Sequence, residues 1–266
     1  MPSAISVVTL LTDFGEKDYF VASLKGVILG INPQARIIDL SHQVSPHKIA
    51  EAAYLLKSCY RYFPDGTVHL VVVDPGVGSA RRPLLVTSSR HFYVAPDNGI
   101  LSYIYDEETS VEVRHIENRQ YRLDAVGATF DGRDVFAPAA AWLTKGQSPG
   151  SFGRLIRDHA RLRISEPSWH DQRLVGEVVY VDHFGNLISN VTSDHVQEAR
   201  SRRKEDTLRI CIAGNTIIGL MNHYGEGHER TAQALINSNG QLEIFVKEGN
   251  AAELLKTGVG DRIEIH

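Results

Sequence analysis

Ile5-Ser6-Val7-Val8-Thr9-Leu10-Leu11-Thr12, running directly into Asp13-Phe14-Gly15, decides how this chain folds. The stretch is rich in β-branched and apolar residues with no polar alternation, which suits a strand buried on both faces. Downstream, Phe20, Leu24, Val27, Ile28 and Ile31 recur at helical spacing until Asn32-Pro33 stops the pattern. The unit repeats: residues 36–40 read as a strand, 49–62 as a helix closed by Pro64-Asp65-Gly66, and 68–73 as another fully buried strand. Residues 84–87 and 91–95 read as further strands, and 135–144 as an apolar-faced helix. Strands alternating with helices predict an α/β fold, a mostly parallel N-terminal sheet flanked by helices.

Between Ser148 and Arg173 the composition turns irregular and polar, broken by Pro149, Gly150, Gly153 and Pro167. Beyond it, short β-rich runs at 174–182, 208–212, 216–218, 232–237, 242–246 and 262–265 are separated by turn residues, without intervening helices. That pattern predicts a smaller C-terminal antiparallel, barrel-like domain. The expected division is 1–165 and 174–266. Arg200-Ser201-Arg202-Arg203-Lys204 reads as a solvated loop.

Composition narrows the function. The chain has 266 residues, 28 Lys plus Arg against 32 Asp plus Glu, and a net charge of -4, which gives no general attraction to nucleic acid or anionic lipid. Two cysteines, Cys59 and Cys211, are too few for a disulfide framework or a cysteine-built metal site, and fit a reducing cytoplasm. No apolar run approaches the roughly 18 residues of a membrane span, and the N-terminus lacks the features of a signal peptide. The expectation is a cytoplasmic protein with no membrane and no nucleic acid partner.

Four loops at predicted strand ends concentrate Asp, Asn, Gly and Arg, where an open α/β sheet places its ligands. They are Thr12-Asp13-Phe14-Gly15 with Asp18-Tyr19, Asp74-Pro75-Gly76-Val77-Gly78-Ser79-Ala80-Arg81, Pro96-Asp97-Asn98-Gly99, and Thr129-Phe130-Asp131-Gly132-Arg133-Asp134. Any one could be turn chemistry, but carboxylates at the rim of a buried sheet are costly unless paired or functional. Familiar signatures fail: Asp13-Phe14-Gly15 has no kinase lobe ahead of it, and Gly76-Val77-Gly78 lacks the third glycine of a dinucleotide fingerprint. No Gly-Lys-Ser/Thr phosphate loop exists, and Pro149 removes the backbone donor that the hydrolase-like Gly146-Gln147-Ser148-Pro149-Gly150 would need. The pairs His42/His47 and His223/His228 lack acidic partners at metal-ligand spacing, so no metal and no cofactor are expected. In the second domain, Asp182-His183-Phe184-Gly185-Asn186, Asn237-Ser238-Asn239-Gly240 and Gly249-Asn250-Ala251-Ala252 are equally readable as hairpin turns or as groups that read a purine edge and hold an ammonium.

Taken together, these loops resemble the S-adenosylmethionine hydrolases, or hydroxide adenosyltransferases, relatives of the S-adenosylmethionine-dependent fluorinase and chlorinase. The motifs run from Asp13 to Ala251 in family order. The resemblance implies a homotrimer whose sites lie between subunits, and a displacement at the ribose 5′ carbon in which water or hydroxide expels methionine to leave adenosine. It implies Asp74 and Arg81 as catalytic residues, with Asp131 standing where the hydrolases carry a His. It further implies Asp13 on the ribose hydroxyls, Asp18, Asp182 and Ser238 with neighbouring Asn239 around the methionine end, and Asn186 and the backbone near Ala251 on adenine. Tyr224 is a stacking candidate.

Asp131 opens alternatives. An ionised Asp accepts hydrogen bonds but cannot donate them, whereas a His does either at pH 7. If Asp74 and Asp131 both approach Arg81, their mutual repulsion raises one carboxyl pKa while the arginine lowers both, and the sequence does not say which wins. Hydrolysis is the first expectation, a nucleoside-binding protein with little turnover the second, and a halogenase the third.

Overall fold

In the computed structural model of the chain, residues 6–124, 127–202 and 207–266 are described. They form two compact units, Met1–Leu162 and Arg163–His266.

The first unit is a six-stranded sheet built around β1 (Val7–Thr12), every residue of which is buried. β1 lies between β2 (Arg36–Ser41) and β3 (Val68–Val72), parallel to both, and β3 pairs in parallel with β5 (Phe92–Pro96). β4 (Pro83–Thr87) and β6 (Glu112–His115) complete the order β2-β1-β3-β5-β4-β6 with antiparallel pairings, so the sheet is mostly parallel as expected, through the four strands β2-β1-β3-β5. Successive β1 side chains point to opposite faces. Val8 and Leu10 pack with Leu24 and Ile28 of α1 (Phe20–Ile31) and with the alanine-rich α4 (Ala137–Thr144). Leu11 packs on the other face with Ala52 and Leu56 of α2 (Ile49–Cys59) and Ile104 of α3 (Ser102–Glu107). Helices on both faces explain why β1 shows no polar alternation.

The second unit is a single antiparallel sheet in the order β11-β10-β14-β8-β9-β13-β12, with β7 (Ser168–His170) pairing beside β8 (Arg173–Val181). The other strands are β9 (Leu187–Thr192), β10 (Arg209–Ile212), β11 (Asn215–Ile218), β12 (Gln233–Ile236), β13 (Gln241–Phe245) and β14 (Arg262–Ile265). The end strands β11 and β12 approach each other, giving the nearly closed barrel that the short runs predicted. Leu174, Val178, Leu187, Val191, Ile210, Leu242, Ile244 and Ile263 fill it.

Several elements escaped the sequence reading. β6, β9 and α3 are short, and β9 carries Ser189-Asn190 in its middle. The helix expected from Val135 begins earlier, as a π-helical turn over Gly132–Phe136 that feeds α4. The basic run read as a loop is partly helical: Arg200 and Ser201 end α5 (Ser193–Ser201), while Arg203 and Lys204 lie outside the described residues. Thr192 and His195 cap α5 reciprocally, Arg202 pairs with Glu198 at 2.6 Å, and its guanidinium lies 4.1 Å from the centre of the Trp169 ring. Among the described residues no helix is long and apolar enough to cross a membrane.

His69 on β3 is fully buried, bonded through Nδ1 to Thr9 Oγ1 at 2.8 Å and stacked on Tyr93. Burial, and then the neighbouring His91, push its pKa from 6.5 down to about 3. The unfolded chain therefore takes up a proton below pH 6.5 that the folded chain refuses, so this group's stabilisation is complete above pH 6.5 and is lost as pH falls toward 3. Urea melts should show stability falling by about 1.4 kcal/mol per pH unit from this group alone. His69→Gln, which keeps a partner for Thr9, should flatten the slope between pH 6.5 and 5.

Candidate active site

Parallel pairing sets Thr12 of β1 beside Val72 of β3, so Asp13, one residue beyond β1, and Asp74, two beyond β3, both emerge at the carboxyl edge and line one cavity. This is where an open α/β sheet presents side chains to a ligand. Asp131, preceding the π-helical turn, joins them. Asp13, Phe20, His47, Asp74, Phe130 and Asp131 are among the residues lining a cavity of about 280 Å³.

Arg81 organises the acidic wall. Its Nε donates to Asp74 Oδ1 at 3.1 Å, and its Nη2 donates to Asp74 Oδ2 and to Asp131 Oδ2, both at 2.6 Å. Asp74 and Arg81 are nearly buried, with side chains 5% and 7% exposed, whereas Asp131 is 25% exposed. The loop folds Arg81 back by its own bonds: Gly76 N–H donates to Asp74 Oδ1, Ser79 Oγ donates to the Gly76 carbonyl, and Arg81 N–H donates to Ser79 Oγ. Gly78 sits at φ +77°, where a Cβ would stand 2.9 Å from the Ala128 carbonyl oxygen, so the loop closes only with glycine there. Phe136 lies beneath the guanidinium, 5.1 Å from its centre. Arg81 Nη1 is buried and meets no acceptor among the described residues.

The sequence set repulsion between the carboxylates against Arg81; in the structure a third effect, burial, outweighs the arginine. Loss of solvent raises the Asp74 pKa above 3.8, against the lowering by Arg81 and the Gly76 N–H, with Asp131 adding to the rise. Asp74 is thus a stronger base than a surface carboxylate.

Asp13 Oδ2 accepts the His47 N–H at 2.9 Å, and His47 is held at φ +67°, a conformation that needs such a restraint in a residue with a Cβ. His47 lines the cavity; in the sequence it drew notice only in the pair His42/His47, set aside as a metal site, and not as a cavity residue. Phe14, Phe20 and Phe130 pack with centroids 5.3 to 6.0 Å apart, Phe130 edge-on to the other two, and form the apolar wall. Asp18 is exposed and does not line this cavity. The Pro96-Asp97-Asn98-Gly99 loop supports it from behind: Asn98 Nδ2 donates to the Val73 carbonyl at 2.9 Å, and Asp97 pairs with Arg82 at 2.6 Å and accepts the Ala160 N–H.

In the second unit, Asp182 Oδ1 accepts N–H bonds from Phe184 and Asn186, and Asn186 Nδ2 donates to Asp182 Oδ2 at 3.0 Å. Gly185, at φ +82°, lies so close to the Asn250 carboxamide that a Cβ would stand 2.1 Å from its Cγ. Asn250 caps α6 (Ala251–Leu255) by accepting the Glu253 N–H. Asp182, Phe184, Asn186, Tyr224, Lys247 and Asn250 border an open cleft of about 850 Å³, with Ala251 buried beside it. Shielding of the hydroxyl from solvent, and its bond to Glu243, push the Tyr224 phenol pKa well up. Ser238 and Asn239 are exposed on the β12–β13 turn and do not line this cleft.

Each half matches a family model. Residues 8–153 match the SAM hydroxide adenosyltransferase N-terminal domain and residues 176–264 its C-terminal domain. The chain belongs to the SAM hydroxide adenosyltransferase family. It is 32% identical to a protein of Methanocaldococcus jannaschii named (R)-S-adenosyl-L-methionine hydrolase, over 98% of this chain and 96% of that one. It is 26% identical to a fluorinase of Nocardia brasiliensis, over 97% of each. A crystal structure of an uncharacterized conserved protein from Thermotoga maritima is similar to it with a TM-score of 0.90 and 35% identity, covering 97% of this chain and 99% of that one.

Removing Arg81 would leave Asp74 and Asp131 facing each other without a cation. Arg81→Met should therefore cost about 3 to 5 kcal/mol in urea melts at pH 7, the range for breaking a buried ion pair. Asp131→Asn, at the more exposed end, should cost about 1 kcal/mol or less.

Proposed function

We propose that this protein hydrolyses S-adenosyl-L-methionine, as the (R) epimer after which its hydrolase relatives are named, to adenosine and L-methionine. The observation that carries this reading is the Asp74–Arg81–Asp131 cluster, set into the wall of a cavity at the carboxyl edge of β1 and β3. In the reaction a lone pair of water attacks C5′, the C5′–S bond breaks with its electrons going to sulfur, and methionine leaves as a neutral thioether. The proton lost by water passes to a carboxylate and then to solvent. Asp74, its basicity raised by burial, takes that proton; Arg81 holds Asp74 and Asp131 in fixed relation, and Asp131 orients the water as an acceptor. Asp13 grips the ribose diol.

Charge favours water over a halide. Three carboxylates and one guanidinium border the cavity region, a surrounding that attracts a sulfonium and repels an anionic nucleophile. In the second unit, Asn186, Tyr224 and the backbone at Ala251 hold the adenine side, with Asp182, Ser238 and Asn239, joined by Asp18 of a first unit, at the amino-acid end. The assembly is a homotrimer that brings these groups together from neighbouring subunits, each chain dividing functionally at residues 165 and 174. Exposed Tyr19 and Val77 in the first unit, and Phe184 in the second, are the apolar surfaces such contacts would cover. Cys59 and Cys211 are free thiols, in keeping with a cytoplasmic enzyme. No cofactor is required by this chemistry.

A second reading, a nucleoside-binding protein with little turnover, is favoured by one feature: Asp131 cannot donate a proton where the hydrolases have a His. Incubation with (R)-S-adenosyl-L-methionine and chromatography of the products separates the two. Equal release of adenosine and methionine is expected, with no halogenated nucleoside in high chloride; tight binding without product overturns the hydrolase reading. Asp74→Asn should lower kcat by roughly 10² to 10⁴. The acid limb of kcat/KM should lie above 3.8, because activity is lost as Asp74 gains a proton and its pKa is raised. Light scattering should give the mass of three chains.

A further inference from the structure

Glu243, in the middle of β13, is 3% exposed. A carboxyl at that depth is costly unless both oxygens are bonded, and an apolar side chain would fill the same place without that cost. Its two oxygens take donors from two different loops. Tyr224 Oη donates to Oε1 at 2.7 Å, and Asn237 Nδ2 donates to Oε2 at 3.1 Å.

Each donor controls more than itself. Tyr224 opens a short 3₁₀ turn over Tyr224–Glu226, and its ring stands edge-on to Phe245 with centroids 5.1 Å apart. The ring thus has an apolar contact on one side and a hydrogen bond at its tip, which fixes its tilt at the border of the open cleft. Asn237 begins the β12–β13 turn: its Oδ1 accepts the N–H groups of Asn239 and Gln241, both at 3.0 Å, and its carbonyl accepts the Gly240 N–H. The side chain that Glu243 grips is therefore the one that shapes the turn carrying Ser238 and Asn239.

We propose that Glu243 is a positioning residue that sets, from one buried carboxyl, both the Tyr224 ring and the Ser238-Asn239 turn for the adenosyl substrate. This rests on the reading of Tyr224 and of that turn as substrate contacts. Glu243 touches no substrate atom. It ties two surface features into one preformed arrangement, lowering the ordering cost of binding.

The test uses the full-length protein, calorimetry with adenosine and with S-adenosyl-L-methionine, and steady-state kinetics. Glu243→Gln is nearly isosteric and removes one of the two acceptors. It should weaken adenosine binding and raise KM about tenfold, as loss of a charge-assisted hydrogen bond implies, with kcat changed by less than about threefold. Tyr224→Phe, which keeps the ring and cuts the same link from the surface side, should weaken adenosine binding by a similar factor and serves if Glu243→Gln fails to fold. The two substitutions together should be less than multiplicative. Wild-type binding that survives Glu243→Gln within about twofold, or a fall in kcat with KM unchanged, overturns the proposal alone. A wild-type protein that binds neither ligand overturns the nucleoside reading and this proposal with it.

Discussion

Two carboxylates sharing one buried arginine is the constraint on which the first unit's site depends. Asp74 and Asp131 come from loops fifty-seven positions apart in the chain, and without Arg81 between them the two carboxylates would meet with no charge to offset their repulsion. The arginine is in turn held by what surrounds it: the Phe136 ring beneath, and a loop whose backbone bonds close only with glycine at 78. Local chain stiffness, ion pairing and the sheet's parallel register therefore all fix the same few atoms. A displacement that needs a water in line with a breaking bond benefits most from that kind of rigidity.

The sequence disclosed the parts whose physics is local. A continuous apolar strand means burial on two faces, and that was readable in β1; a loop of Asp, Gly and Arg following such a strand means a polar rim, and Asp13, Asp74, Arg81 and Asp131 do gather there. What is set by tertiary placement was less readable. Asp97-Asn98 has the same composition as the cavity loops, yet its groups face Arg82 and the Val73 carbonyl and serve as a brace. Asp18, Ser238 and Asn239 line neither the cavity at the β1–β3 edge nor the cleft of the second unit. Glu243 was invisible because a lone acid between Leu242 and Ile244 reads as the outward position of an alternating strand, and nothing in that pattern says that two loops fold inward to meet it.

Asp131 is the point at which family membership and physical reading have to be combined. A histidine at this place could bond to a carboxylate and still pass a proton, whereas an aspartate must find a donor, and it finds Arg81. In the hydrolysis proposed above, the proton acceptor is then a carboxylate whose basicity burial raises. Similarity to hydrolases and, more distantly, to a fluorinase means that the frame alone does not name the nucleophile, and the proposed choice of water rests on the charge around one cavity wall.

The near-contact of Gly78 with the Ala128 carbonyl has a consequence for how this scaffold can diverge. The two loops mesh like teeth, so neither can lengthen or change course by itself. A chimera that transplants residues 74–81 from a relative while keeping the host's 127–134 inherits a misfit at that tooth, and new chemistry on this frame has to be grafted as a matched pair of segments.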